Sequence, residues 1–476
     1  MHASNITFYQ YEGRALDHGW LHNCAGFHAL RHGASDRFIQ EQGLTHSLRH
    51  SAHRVRDPGR AQLFYVPIWT VTSAVVGACN GTTHAGRMVA ARDALLASPW
   101  WRRFYGRDHV WSNGRPQHVD RDLGAARDVA GCTSVARHKS FSFGSKRFYP
   151  SMGAACAIET PIQATLAAMA SYGKATGGPL VHFAGGLDVC CTGQHIRCAV
   201  GKLVILARNE KDVVLRPSVS PNNETWGPCT RSAMFGLAAA RRTDAAAAAA
   251  AAEGAYFDSA EEARNWKAPH QNSQAAAASG RRLAAAEEEA EEEDDAPADD
   301  GPAQNVHGGV VSASLQEATT REMASATFCL VPAGDSYVSG RFYTVIAAGC
   351  LPVVLGPHPQ AYSGRVDFAS FVVHLSDRAF LRDPMSAVRA LRAISADEIA
   401  RRKAALALHR ADVLYDLRDS RAGDHFLAEV AEHCLPNLLP ELAAENGWNR
   451  TALPAAPRLP ASCGRAAALA RKLATS

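Results

Sequence analysis

The chain lacks most of the features that would reveal its chemistry directly. No stretch of its 476 residues approaches the ~20 consecutive apolar residues that a bilayer-crossing helix needs. The N-terminus shows no charged region followed by an apolar core and a cleavage site; Met1 leads quickly into Ile6–Gly13, which reads as a first core strand. The protein is therefore expected to be soluble, or separated from its targeting segment. A Walker loop, a Gly-x-Ser-x-Gly nucleophile elbow and a nucleic-acid module are all missing, and no nucleic-acid partner is expected. Paired zinc-ligand spacing is missing too: Cys190, Cys191 and Cys198 do not fit it and read as disulfide partners or core thiols. Asp120 and Asp122 have the spacing of a divalent-ion site but no preceding hydrophobic strand. His46, His50 and His53 share part of a helical spacing, in a basic stretch without carboxylates. No metal ligands are assigned.

What is present is the composition of a folded protein, 47% hydrophobic, in a chain long enough for two domains. Twelve cysteines are compatible with disulfides, although Cys329 and Cys350 sit in apolar runs and fit core thiols equally well. Asn5, Asn80, Asn223 and Asn449 begin Asn-x-Ser/Thr triplets, where the 13 asparagines would give roughly one or two by chance. Both signals lean towards the secretory pathway. The net charge of +4 conceals an asymmetry: residues 253–300 carry 14 acidic and 4 basic side chains, a net of −10, so the remainder is +14. A basic body suits an anionic substrate such as a sugar nucleotide or an acidic glycan, or is simply a solvated arginine-rich surface.

Residues 236–310 break the pattern with alanine and glutamate runs that favour helix locally but have too little apolar content for a core. They read as an insertion. Before it, residues 1–178 contain a strand and helix entry in Ala61–Cys79, and an aromatic-basic helix end meeting a loop in Ala97–Gly114. The next block opens with a strand at Leu180–Phe183 and a glycine turn at Gly185–Gly186. A helix or turn over Gln194–Val200 and a strand over Lys202–Asn209 are expected to follow. Another strand lies in Ser370–Asp377, and two helices span residues 383–416. Alternating strands and helices imply parallel sheets covered on both faces. The expected fold is α/β, with two doubly wound domains, 1–178 and 179–440, facing one another across a cleft, and a tail over 441–476.

Residues Phe328–Gly356 carry the chemistry. Phe328–Val331 reads as a strand, stopped by Pro332. Ala333–Gly340 is then a loop at the strand's carboxyl end, where open α/β sheets bind ligands. Arg341–Ala348 is a short helix with Phe342, Val345 and Ile346 on one face, Gly349 caps it, and Leu351–Leu355 is the next parallel strand. Unpaired amides at that helix start, with Ser336, Ser339 and Arg341, suit a diphosphate.

This stretch, followed by Val366–Asp377, resembles the exostosin-type glycosyltransferases of family 47: Phe-Cys-Leu, Pro, Gly, Ser-x-Arg, Ala-Gly-Cys and x-Pro-Val recur in order. Leu63–Thr70 with Gly106–Trp111 resembles the family's N-terminal block, and Val181–Gly186 with His195–Arg197 the turn that opens its second half. The resemblance implies a GT-B fold of two Rossmann-like domains. It also implies transfer of a sugar, with inversion, from a nucleoside diphosphate (a UDP-sugar) to a glycan or polysaccharide hydroxyl, with no metal strictly required. Golgi residence, membrane association through a segment absent from this chain, and homo- or hetero-oligomers come with it. Gly185, Gly186, Gly334, Asp335, Ser336, Ser339, Arg341 and Thr344 are then the donor-binding candidates, Arg341 first as phosphate clamp. Ser336 and Ser339 also suit helix capping, Asp335 a turn, and the glycines a structural bend. Asp108 and His109 are candidates for the base that deprotonates the acceptor, or for loop packing with Arg107; His182 reads as a core histidine. One departure stands out. Thr344 occupies the position where the family usually has a carboxylate, and Gly340 replaces a second arginine, so an inactive, glycan-binding or partner-stabilising relative is the alternative.

Overall fold

The computed structural model describes residues 6–27, 40–113, 123–130, 134–137, 156–187, 194–218, 313–334, 339–358 and 360–434. The insertion, the tail, Asp335, Ser336, Asp120–Asp122, Cys190, Cys191 and the sequons at 5, 223 and 449 lie outside these residues.

The described chain is mixed α/β, built on two five-stranded sheets whose strands all pair in parallel. The first takes β1 (Phe8–Gln10), β2 (Leu63–Tyr65), β3 (His109–Asn113), β4 (Ser134–Arg137) and β5 (Cys156–Glu159), in that spatial order. Side-chain alternation decides which face each residue serves. Phe8, Leu63, Tyr65 and Val110 pack with Leu44 and Leu48 of α1 (Gln40–Arg49). Phe64, Val66 and Trp111 pack instead with the elements that follow β2. After β2, α2 (Thr70–Val76) leads to α3 (His84–Ala97) and α4 (Pro99–Phe104), which supply Met88, Ala91, Leu95 and Trp101 to that second face. The segment 109–113, expected to be loop, is strand β3: His-Val-Trp is a β-rich run, and each of its first four side chains is buried.

The second sheet holds β6 (Val181–Gly186), β7 (Val213–Ser218), β8 (Phe328–Val331), β9 (Leu351–Leu355) and β10 (Val373–Leu375), ordered β10-β9-β8-β6-β7. That is the doubly wound order with a reversal between β6 and β8, where such sheets bind ligands beyond the strands' carboxyl ends. The first sheet runs in simple sequence order, so a second Rossmann-like reversal is not found among its described strands. Residues β8 and β9 are buried throughout, as central parallel strands require.

Two local expectations change. Lys202–Leu206 is the second half of a helix, α6 (Gln194–Leu206; α5 is Leu166–Ser171), rather than a strand. Ile196, Ala199, Val200 and Leu203 are buried at helical spacing, and no Gly or Pro breaks the run before Leu206 strongly enough to stop it. Gly185 and Gly186 are not a free turn either; they end β6 and pair with Pro217 and Ser218.

After the insertion come α7 (Ala313–Ser325) and, between β8 and β9, α8 (Gly340–Ala348). α9 (Ala396–Val413) and α10 (Ala422–Glu429) complete the elements used below. The segment after α9 crosses back to the first sheet: Gly423 N–H donates to Ser47 Oγ of α1 at 3.0 Å, and Tyr415 Oη donates to Pro161 O at 3.1 Å. The stretch 415–429, expected to serve the second half alone, thus also packs on the first. Disulfides join Cys24 to Cys79 and Cys329 to Cys350, so Cys329 and Cys350 are not core thiols. Among the described residues no helix is long and apolar enough to cross a membrane.

Candidate functional site

The candidate site lies at the reversal between β6 and β8, and α8 builds it. Ser339 caps α8, accepting a hydrogen bond from Arg341 N–H at 3.3 Å. Gly349 ends the helix in the left-handed region, φ +83°, and donates to Ile346 O at 3.1 Å. The C-terminal carbonyls, otherwise orphans, are taken by cations of α9: Lys403 Nζ donates to Gly349 O at 2.8 Å and Arg410 Nη2 to Ala347 O at 2.8 Å. Phe342, Tyr343, Val345 and Ile346 are all fully buried. Burial of this kind contributes about 1.5–3 kcal/mol per large side chain, so α8 and the amides at its start are firmly placed.

Arg341 is the site's main charge. Its guanidinium lies 4.8 Å from the Phe183 ring centroid on β6. It packs against Gly185, where φ is +153° and a Cβ would stand 1.6 Å from Arg341 Nη2. Glycine is needed here to admit the arginine, a reason the sequence did not disclose. Burial pushes the Arg341 pKa down to about 10, with the charge of Arg197 adding to the effect. Arg197, on α6, donates through Nε to Ala333 O at 3.3 Å, in the loop that leaves β8. Among the described residues no carboxylate pairs with Arg341. Two guanidinium groups and a helix N-terminus therefore converge where an anion would relieve desolvation and mutual repulsion.

The other candidates fall as follows. Gly186 ends β6 beside Gly185, and Gly334 is buried in the loop after β8. Thr344 sits one turn beyond Arg341's neighbour Gly340 and donates its hydroxyl to Gly340 O at 3.1 Å. Its proton is spent on the helix backbone, leaving only acceptor capacity for a ligand. His182 is a core residue: it is fully buried, near Cys329 Sγ at 4.0 Å, and burial holds its pKa down at about 4.

Asp108 and His109 do not join this group. Both are fully buried at the amino end of β3, the opposite end from the crevice of a parallel sheet. His109 Nδ1 meets Asp108 Oδ1 at 2.8 Å and Nε2 meets Tyr11 Oη at 2.8 Å, while Arg103 Nη2 donates to Asp108 Oδ2 at 2.7 Å. His109 also stacks on Phe64 with 4.9 Å between centroids. Burial alone would raise the Asp108 pKa, but His109 and Arg103 together hold it below the usual carboxylate range. With every polar atom engaged and no exposure, the pair locks β3 to α4 and β1.

Sequence reasoning did not single out Arg197 as a site residue, nor the buried Glu41. Glu41 accepts four hydrogen bonds from Thr70, Val71 and Thr72 at the start of α2, and burial raises its pKa to about 7. It caps a helix from outside the helix's own sequence, so no local capping pattern announces it. Glu429, Glu432 and His433 lie close enough together to hold a cation, but Arg365 already pairs with both glutamates.

The exostosin GT47 domain matches residues 9–391, which takes in both sheets and the crevice between β6 and β8. The chain belongs to the exostosin GT47 family. It is also similar to an Arabidopsis thaliana protein described as "Probable arabinosyltransferase ARAD1", 35% identical over 82 residues. That alignment spans 16% of this chain and 18% of the relative's length. The family supports glycosyltransferase activity.

Proposed function

We propose that the protein is a GT-B, nucleotide-sugar-dependent glycosyltransferase. The second sheet binds the donor at the reversal between β6 and β8, and the first sheet carries the acceptor across a cleft. The observation that carries this is Arg341: a desolvated guanidinium seated on Gly185 at the start of α8, beside Arg197, with no carboxylate partner among the described residues. Such a group is costly to the fold unless an anion completes it. Ile162, just past β5, supports the facing arrangement, because a side chain at Gly340 would stand 3.2 Å from its Cγ2.

The acceptor hydroxyl attacks the anomeric carbon from the face opposite the diphosphate. The bond from that carbon to the phosphate oxygen breaks, its electron pair stays on the diphosphate, and configuration inverts. Arg341, Arg197 and the α8 amides stabilise the departing charge. Asp335, Ser336, Ser339 and Thr344 would contact phosphate or sugar hydroxyls, and Gly186 and Gly334 leave room for them. The hydroxyl's proton passes to a base on the first sheet. Asp108 and His109, enclosed as they are, are assigned to structure instead. The donor is a UDP-sugar, and UDP-arabinose belongs in any panel because the Arabidopsis relative is described as an arabinosyltransferase. The Cys24–Cys79 and Cys329–Cys350 disulfides and exposed Asn80, in a sequon, support a Golgi lumenal setting.

A second reading is favoured by Thr344, which stands where a donor-holding carboxylate was expected and has committed its proton to Gly340. On that reading the fold binds glycan or a partner enzyme without catalysis. Release of UDP from a panel of UDP-sugars separates the two: turnover that disappears in Arg341→Ala establishes the enzyme. Binding of donor without turnover by the wild type establishes the second reading.

A further inference from the structure

The loop that leaves the carboxyl end of β9 buries an imidazole without a partner. His358 is 7% exposed, and apart from its own main chain neither ring nitrogen meets a hydrogen-bonding group among the described residues. Gln360, two residues on, has an unpartnered amide nitrogen as well. Orphaned polar atoms of this kind weaken a fold, and an apolar side chain would serve better if packing were the only demand. Burial, with His374 nearby, lowers the His358 pKa to about 4, so the ring is neutral at physiological pH and offers one donor and one acceptor.

The position of this loop gives the orphans a use. The His358 ring lies 4.6 Å from that of Phe342, the residue after Arg341. The first turn of α8 therefore touches β6 through Arg341 and the β9 loop through Phe342. β6, β8 and β9 are adjacent strands, so two strand spacings, about 10 Å, separate the carboxyl ends of β6 and β9. That matches the reach of a nucleoside from its phosphate to the far edge of its base. The carbonyl–imide–carbonyl edge of a pyrimidine needs donors flanking an acceptor. A neutral imidazole and a carboxamide N–H supply both kinds of group.

We propose that His358 and Gln360 form the base-recognition end of the donor site, holding the pyrimidine edge of a nucleoside diphosphate whose phosphates lie at Arg341. This rests on the donor reading given above and adds its specificity. The test is to titrate UDP and inorganic pyrophosphate separately into the wild-type chain, His358→Phe, His358→Gln, Gln360→Leu and Arg341→Ala, with a melting curve for each. His358→Phe is expected to weaken UDP at least tenfold, leave pyrophosphate unchanged, and melt at or above the wild-type temperature. His358→Gln, which keeps a donor and an acceptor, is expected to retain part of the UDP affinity, and Arg341→Ala to lose both ligands. Gln360→Leu carries the same expectation as His358→Phe and decides the matter if the phenylalanine variant does not fold. Wild-type UDP affinity in both apolar variants overturns the assignment, since solvent then satisfies the imidazole. Equal loss of UDP and pyrophosphate also overturns it, because the loop then only positions α8. A wild-type chain that binds neither ligand overturns the donor reading itself, and this inference with it.

Discussion

At the scale of single residues, the contacts that look least comfortable are the ones closest to function. Arg341 faces Arg197 and an aromatic ring instead of a carboxylate. Arg341→Ala is therefore expected to leave the melting temperature unchanged or raise it, which differential scanning calorimetry measures. Gly185→Ala is expected to behave differently: its new methyl would occupy the guanidinium's place, 1.6 Å from Nη2. Displaced arginine and lost charge-assisted hydrogen bonds should weaken UDP by about 10- to 100-fold, read by calorimetric titration with the fold monitored by circular dichroism. Three buried histidines and Glu41 set the pH response with opposite signs: the raised Glu41 pKa favours the folded state as pH falls from 7 to 5 and offsets about one histidine's loss. Burial holds His18 near pKa 3 and His182 and His358 near 4, against about 6.5 when unfolded. The sign is fixed by linkage. A folded pKa below the unfolded one means that the unfolded chain binds protons first as pH falls, so stability is lost from pH 6.5 downward. At pH 5 the loss is about 2 kcal/mol for each such histidine. Denaturant unfolding at pH 7 and pH 5 checks this, and His358→Phe should flatten the difference.

At the scale of elements, α8 holds the site because other elements satisfy its ends. Lys403→Met and Arg410→Met would each leave buried carbonyls without donors, costing about 1–3 kcal/mol and loosening Arg341 with the helix. Urea unfolding of each variant measures the first effect, and UDP titration the second. Much of this element was legible in advance. Phe328–Val331 and Leu351–Leu355 match their strands, and α8 begins one residue earlier than read, because apolar runs bounded by Pro, Ser and Gly leave few alternatives. The strand expected over Lys202–Asn209 failed because a short apolar run has the same composition on a buried helix as on a strand, and only α6's packing decides between them. The burial of Asp108 and His109 was illegible for a related reason. Their residue types suit proton transfer, but the enclosing Tyr11 and Phe64 are distant in sequence, and nearby Arg103 reaches Asp108 only because α4 turns back onto β3. His358 was not singled out in the sequence, because its missing partners show only once the fold buries it.

At the scale of the whole molecule, two parallel sheets are joined by the crossing at residues 415–429, and among the described residues each half carries a disulfide of its own, Cys24–Cys79 and Cys329–Cys350. The Cys329–Cys350 bond spans 21 residues and encloses α8, and loop-closure entropy assigns it about 3 kcal/mol. Reduction is expected to lower the melting temperature and weaken UDP together, since the closed loop carries Arg341; thiol titration beside calorimetry would show both. The reversal between β6 and β8 lies in the second sheet, and the proposed function puts the donor there and the acceptor on the first half. The central claim is that Arg341 completes a diphosphate site. Calorimetric titration of UDP into the intact chain and into Arg341→Ala tests it most directly. Binding by the wild type that falls at least tenfold in a variant with an unchanged melting temperature is the expected result. Equal affinity in the two proteins, or no binding by the wild type at millimolar UDP, would contradict it.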